Sequence, residues 1–303
     1  SAQTAFSMLL QMRWERRNKQ MRKQKWTPKK IHTYLRALIQ LLFFLFLPSA
    51  FTTAFSGIKT ILTQIGSGSP VAMSAFLTVL LALCAYTIVF GRFFCGYACA
   101  FGSLGDAVRS LYVFICKKCK KKPITWKPKK LPLHFLKYGV LLVVVCLCFT
   151  GVYSDLKGWN PWDVFSMLRA GNVHLSGYWL GIILLAGILV GMALCERFFC
   201  RFLCPMGAVF SLLPMLPMFS VRRKQEQCAK GCSACTRCCP ADLTLPEAGS
   251  WSVNGECFQC QKCVNICPKK NAHSGIGKLR GNEIWFTILR AVVLGVVLVL
   301  AGI

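Results

Sequence analysis

Five apolar runs constrain this chain before any other feature does. They cover about residues 31–55, 71–91, 133–153, 178–195 and 284–303 and carry few charges. Runs of roughly 18–25 apolar residues have the length of a helix crossing a hydrocarbon core. Lipid offers the backbone no hydrogen bonds, so each run has to satisfy its own N–H and C=O groups, as a helix does. The expected fold is an all-α polytopic membrane protein with about five transmembrane helices. Pro48 marks a kink in the first, and a Gly/Ser-rich turn at 65–70 leads to the second. A hydrophobic content of 55% belongs with that class and excludes an ordinary soluble domain.

The net charge is +27, which in a soluble chain would first suggest nucleic acid. Here no nucleic-acid motif accompanies the lysines and arginines, and they stand beside the apolar runs. Residues 1–30 carry nine of them, residues 117–130 eight and residues 222–280 ten, whereas the two intervening loops carry only Lys59, and Lys157 with Arg169. The positive-inside rule then predicts a multi-pass protein of the bacterial cytoplasmic membrane. Its N-terminus and residues 221–280 face the cytoplasm, and the end of the fifth helix faces outward. Basic flanks of this kind attract anionic lipid. Met, Leu and Trp residues between Phe6 and Trp26 suggest a basic amphipathic helix on the membrane surface. The first thirty residues lack the apolar core and cleavage site of a signal peptide. A chain beginning at Ser1 reads as a piece of a longer protein.

Between Cys228 and Cys267 lies the second constraint. Cys257, Cys260, Cys263 and Cys267-Pro268 follow the spacing C-x2-C-x2-C-x3-C-P, with which bacterial ferredoxins hold 4Fe–4S clusters and pass the fourth cysteine to the other cluster. Cys228, Cys232, Cys235 and Cys239-Pro240 repeat it with one extra residue in the first gap. Cys238 is a rival third ligand, but it leaves no spacer before Cys239-Pro240. The preferred sets are Cys228, Cys232, Cys235 and Cys267 for one cluster, and Cys257, Cys260, Cys263 and Cys239 for the other. Disulfides or zinc knuckles would not require two Cys-Pro runs at this spacing. Cluster thiolates need a reducing compartment, in agreement with the charge asymmetry.

The chain also repeats itself. Trp26–Lys30 (W-T-P-K-K) recurs at Trp126–Lys130 (W-K-P-K-K), and R-F-F-C-x3-C at Arg92–Cys99 recurs at Arg197–Cys204, with Gly102 matched by Gly207. Both units run in the same direction, so a pseudo-two-fold along the membrane normal relates them. Cysteines four apart share one helical face. Symmetry would therefore bring Cys95, Cys99, Cys200 and Cys204 together as ligands of a metal or a further iron–sulfur cluster, with Arg92 and Arg197 offsetting its charge. The competing reading makes them small residues in a close helix contact. Cys84, Cys146, Cys148 and Cys195 read as core, and Cys116 with Cys119 as a solvated pair in a basic loop. His32 and His134 read as interface residues before haem ligands, and Trp159 and Trp162 as anchors in an outer aromatic belt.

With C-G-Y-A-C-A-F-G, C-R-F-L-C-P-M-G and the two Cys-Pro runs in view, the chain resembles the polyferredoxin membrane proteins typified by NapH, NosR and CcoG. The resemblance runs from about Trp26 to Arg280. Two departures stand out: Ala100 where the family motif has proline, and the extra residue between Cys228 and Cys232. The resemblance implies a membrane-bound electron-transfer subunit with two 4Fe–4S clusters. Electrons would pass between an acidic cytoplasmic electron-transfer protein and a quinone or a flavin-bearing outer partner. Two alternatives remain: a copper reductase or assembly factor of the CcoG kind, working through the four membrane cysteines, and an iron–sulfur redox sensor. Five segments are expected. They are the N-terminal segment 1–30, membrane repeat 1 at 31–116, the basic loop with membrane repeat 2 at 117–220, the two-cluster ferredoxin domain at 221–280, and the fifth transmembrane helix at 281–303.

Overall fold

A computed structural model describes residues 28–126, 133–154, 159–171, 177–216, 219–247, 250, 253–274 and 283–303. The amphipathic segment expected before residue 28 and most of the second W-x-P-K-K copy lie outside the described residues. Within them the protein is mainly helical. Helices α1 (Pro28–Phe46), α2 (Ala50–Gly66), α3 (Ala75–Phe90), α4 (Phe93–Tyr97) and α5 (Ala100–Lys118) make the first repeat. Helices α6 (Leu136–Phe149), α7 (Pro161–Arg169), α8 (Trp179–Leu194), α9 (Phe198–Phe202) and α10 (Pro205–Leu212) make the second, in the same order. A small unit follows, with β1 (Val221–Arg222), α11 (Ala234–Cys238), α12 (Lys262–Ile266) and β2 (His273–Ser274). The last helix, α13, covers Glu283–Leu300.

The helix boundaries follow local chemistry. Pro48 has no amide donor for the α1 ladder, so the predicted first span divides at Leu47–Ser49 into two helices bent by 61°. Ser74 caps α3 by accepting the amide of Leu77, and Gly91, at φ 70°, ends it. Pro161 and Asp163 start α7, where a missing donor costs nothing and an acid meets the positive helix end. The run after the first cysteine motif looks semi-polar in sequence but is the 19-residue helix α5.

Phe93–Lys118 and Glu283–Leu300 are long and apolar enough to cross a membrane, and the bent pair Ile31–Phe46 with Ala50–Gly66 makes a third if it is one span. Ala75–Phe90, Leu133–Phe149 and Trp179–Leu194 are apolar but shorter. Outward-facing Leu38, Leu41, Leu45, Leu142, Ile183 and Val292 are all exposed, which in water would be an oversized apolar surface and in lipid is the expected one. The core sits where the repeats meet. Phe51, Phe101 and Phe199 form one aromatic group, with ring centres 5.2 Å apart for Phe51–Phe101 and 4.8 Å for Phe101–Phe199. Trp162 joins this core edge-on to Phe55 at 5.1 Å. It is buried, so it is not the belt anchor expected from sequence, whereas Trp159 is exposed.

Helices α2 and α3 touch through Gly57, where a Cβ would stand 2.5 Å from the Phe76 carbonyl oxygen and 3.1 Å from the Leu80 Cβ. Gly187 on α8 has nothing within 4 Å of the same position. Gly57→Ala should therefore cost about 1–3 kcal/mol through overpacking and lower the thermal midpoint in detergent. Gly187→Ala should leave it unchanged or raise it slightly.

Candidate metal-cluster site

Each repeat turns from its apolar helix into a five-residue helix, α4 carrying Cys95 and α9 carrying Cys200. The chain then breaks, and Cys99 and Cys204 become the N-caps of α5 and α10. The paired cysteines are therefore not on one continuous helical face, as the spacing had suggested. The break places the second thiol of each pair at a helix N-terminus, where negative charge is favoured. The amide of Gly207 donates to Cys204 Sγ at 3.2 Å, whereas Cys99 takes the same N-cap place without a side-chain cap bond. All four cysteines are buried, and Cys204 lies within electrostatic reach of the other three.

Two buried arginines brace this centre, each reaching into the other repeat. Arg197 donates to the carbonyls of Cys95 and Gly96, the latter at 2.8 Å. A Cβ on Gly102 would stand 2.5 Å from its Nη1, and one on Gly207 would stand 2.9 Å from Nη2 of Arg92. The recurring glycines thus make room for the recurring arginines. Both guanidiniums meet a carboxylate. Asp106 of α5 takes Arg197 at 2.5 Å, Arg36 of α1 at 2.6 Å and Gln40 at 2.7 Å. Glu256 takes Arg92 at 3.1 Å, Tyr138 at 3.1 Å and the ammonium of Lys137 on α6. Burial alone would raise the Glu256 carboxyl, but Lys137 and Arg92 hold it below its usual range.

The eight ferredoxin-type cysteines fall around two cavities. Cys228, Cys232, Cys235 and Cys267 line one, the smaller. Cys239, Cys257, Cys260 and Cys263 line the other, together with Cys235. The strands explain the crossing: β1 pairs antiparallel with β2, Val221 opposite Ser274, which folds the second cysteine run back beside the first. Hydrogen bonds already point at the sulfurs of the smaller cavity. Arg223 donates to Cys235 Sγ at 3.2 Å, and the Asn271 amide to Cys267 Sγ at 3.2 Å. Cys238 lines neither cavity and donates to the Cys235 carbonyl at 3.2 Å. As free thiols, Cys257 is pushed up to about 12 and Cys238 to about 11, by burial first and by neighbouring sulfurs, so a bound metal has to displace protons here.

The two groups of cysteines adjoin. A Cβ on Gly96 would run into the Phe258 carbonyl and lie 3.8 Å from the Cys260 amide, and Arg92 lies 4.9 Å over the Phe258 ring. Gln261, left-handed at φ 56°, is held from both ends of the chain: by His32 of α1 at 2.7 Å and Thr287 of α13 at 3.2 Å. His32 is thus a partner of the cysteine loop. Among the described residues, no three cysteine, histidine or acidic side chains converge as a single ion needs. A cubane puts each thiolate on a different iron, so its ligands stand farther apart than those of a single ion. Sequence reasoning missed Asp106, Glu256, Arg36, Lys137 and Gln261. The available signal was scarcity: the chain has ten acidic residues, and Glu256 directly precedes Cys257.

Comparison with known proteins picks out the two repeats. The 4Fe-4S binding domain family matches residues 72–122 and again 178–223, the two membrane repeats with their Cys-x3-Cys motifs. The chain is 31% identical over 194 residues to the uncharacterized protein MJ0749 of Methanocaldococcus jannaschii, covering 63% of this chain and 68% of that protein. It is 29% identical to the uncharacterized protein MJ0750 of the same organism, over 78% of this chain and 92% of that one. It is 24% identical to the ferredoxin-type protein NapH of Escherichia coli, over 68% of this chain and 69% of that one. No solved structure matches.

Asp106→Asn leaves Arg36 and Arg197 buried without a counter-charge and should cost roughly 3–5 kcal/mol. Glu196→Gln, which removes a half-exposed partner of Lys262 at 2.6 Å, should cost at most about 1 kcal/mol. Thermal unfolding of both variants in one detergent checks the contrast.

Proposed function

Because the chain belongs to the polyferredoxin-type membrane proteins, we propose that it is a membrane-bound iron–sulfur electron-transfer subunit. Electrons pass between a cytoplasmic partner and a quinone, a flavin or an outer partner. The observation that carries this reading is the packing of the Phe258–Cys260 backbone against Gly96, which sets the ferredoxin cysteines directly beside the membrane cysteines. Supporting the ligand assignment are the two cavities, one walled by Cys228, Cys232, Cys235 and Cys267 and the other by Cys239, Cys257, Cys260 and Cys263. Bound clusters supply one-electron chemistry. The protein's own residues hold the clusters near each other, exclude water and aim N–H groups at sulfur, which tunes the potential.

Cys95, Cys99, Cys200 and Cys204 form a further redox centre in this reading, supported by their burial, their mutual proximity and the two helix N-termini aimed at them. In this reading the five apolar runs are the membrane crossings, and the lysine and arginine distribution favours an inside place for the ferredoxin unit. The basic inner surface favours an acidic donor or acceptor.

An anaerobic inventory of iron, sulfide, copper, flavin and haem tests the proposal. Wild type should hold at least about eight iron with matching sulfide, and Cys200→Ser should lose iron beyond that number while keeping the rest. Wild type with less than one cubane's worth of iron and sulfide would contradict the electron-transfer reading. Copper retained at the four membrane cysteines, lost in Cys200→Ser, would favour a copper reductase instead.

A further inference from the structure

The two repeats neutralise their buried charge in the same way but not with the same parts. In the first, Asp106 stands fourteen residues after Arg92 and receives Arg197 and Arg36. The equivalent place in the second repeat, fourteen after Arg197, is Ser211, which carries no charge. Arg92 and Lys137 nevertheless meet a carboxylate there, that of Glu256. Tyr138 bridges the two, 2.9 Å from Ser211 Oγ and 3.1 Å from Glu256 Oε1. A Cβ on the preceding Gly255 would stand 2.6 Å from the Ser211 carbonyl, so the ferredoxin segment lies directly against that place.

We propose that Glu256 is a positioning residue that supplies to the second repeat the carboxylate its own sequence lacks. It thereby fastens the ferredoxin segment, with Cys257 next in the chain, onto Arg92 beside the membrane cysteines. Arg92 and Lys137 have fully buried side chains, and a cation in such a place needs a partner. In the first repeat that partner is covalently part of the unit. In the second it arrives only when the ferredoxin segment is docked, so docking and the burial of two cations are one event. Arg92 is the shared piece: it faces Glu256, lies over Phe258 and is within electrostatic reach of both Cys95 and Cys204. The preceding functional reading enters only in what Cys257 holds; the charge arrangement stands without it.

Two variants of the full chain in lipid nanodiscs test this: Glu256→Ala alone, and the same change combined with Ser211→Asp. Glu256→Ala should speed amide exchange across residues 254–260 by about tenfold or more and lower the thermal midpoint. Adding Ser211→Asp should restore at least half of the lost midpoint, because a carboxylate again faces Arg92 and Lys137. Exchange should stay fast, because the segment has lost its tether. A shifted midpoint potential of the Cys257 cluster should accompany fast exchange in both variants; fast exchange persisting once stability is restored is what a purely structural role in the repeat would not produce. Unchanged exchange in Glu256→Ala would overturn the proposal. So would a double variant that recovers no stability, or one that recovers protection. If Glu256→Ala fails to accumulate, accumulation of the double variant with fast exchange supports the proposal and failure of both overturns it. Wild-type protein without any cluster would refute the electron-transfer reading, while exchange and melting would still decide this one.

Discussion

Two carboxylates, Asp106 and Glu256, make the rest of this structure possible. Each lets two cations be buried beside four thiols in an apolar bundle. An uncompensated ion there would cost several kcal/mol, a large part of a domain's whole stability. The cations come crosswise: Arg197 of the second repeat with Arg36 of the first, and Arg92 of the first with Lys137 of the second. Each carboxylate therefore ties the two repeats to one another as well as balancing charge. The cysteine motifs are held where they are because the guanidiniums beside them have somewhere to put their charge.

The same arrangement suits a centre that takes up electrons. Reduction makes an iron–sulfur cluster more negative, and amide donors, helix N-termini and nearby arginines favour that state. Gly207 at Cys204, Arg223 at Cys235 and Asn271 at Cys267 are donors of this kind. Around the loop that carries Cys257 and Cys260, His32 near the start of the chain and Thr287 near its end both hold Gln261. The ferredoxin unit is thus clamped by the first and last helices and by a salt bridge from the middle. It is built into the bundle rather than tethered to it.

Much of this was legible in the sequence because the signals were repeated or strongly periodic. The apolar runs appear as helices, the duplication appears as two matching helix series, and the cysteine runs fold to face each other. What escaped depended on contacts far apart in sequence. Pro48 was visible as a kink but not as a division into two helices, because the angle is set by what α2 packs against. Cys95 and Cys99 looked like neighbours on one helix face, but the chain breaks between them so that Cys99 can cap α5. Trp162 looked like an interfacial anchor and is buried against Phe55. Nothing local marks Glu256 as the partner of Arg92, which lies 164 residues away. Its rarity as an acid beside a cysteine motif was the one clue.

In the proposed reading, two clusters sit beside the four membrane cysteines. Redox-titrated electron paramagnetic resonance of anaerobically purified protein in nanodiscs tests this most directly. The account predicts two reducible 4Fe–4S clusters whose spectra broaden each other, as centres packed this closely must. A folded, intact protein that shows no cluster signal at any potential would contradict it.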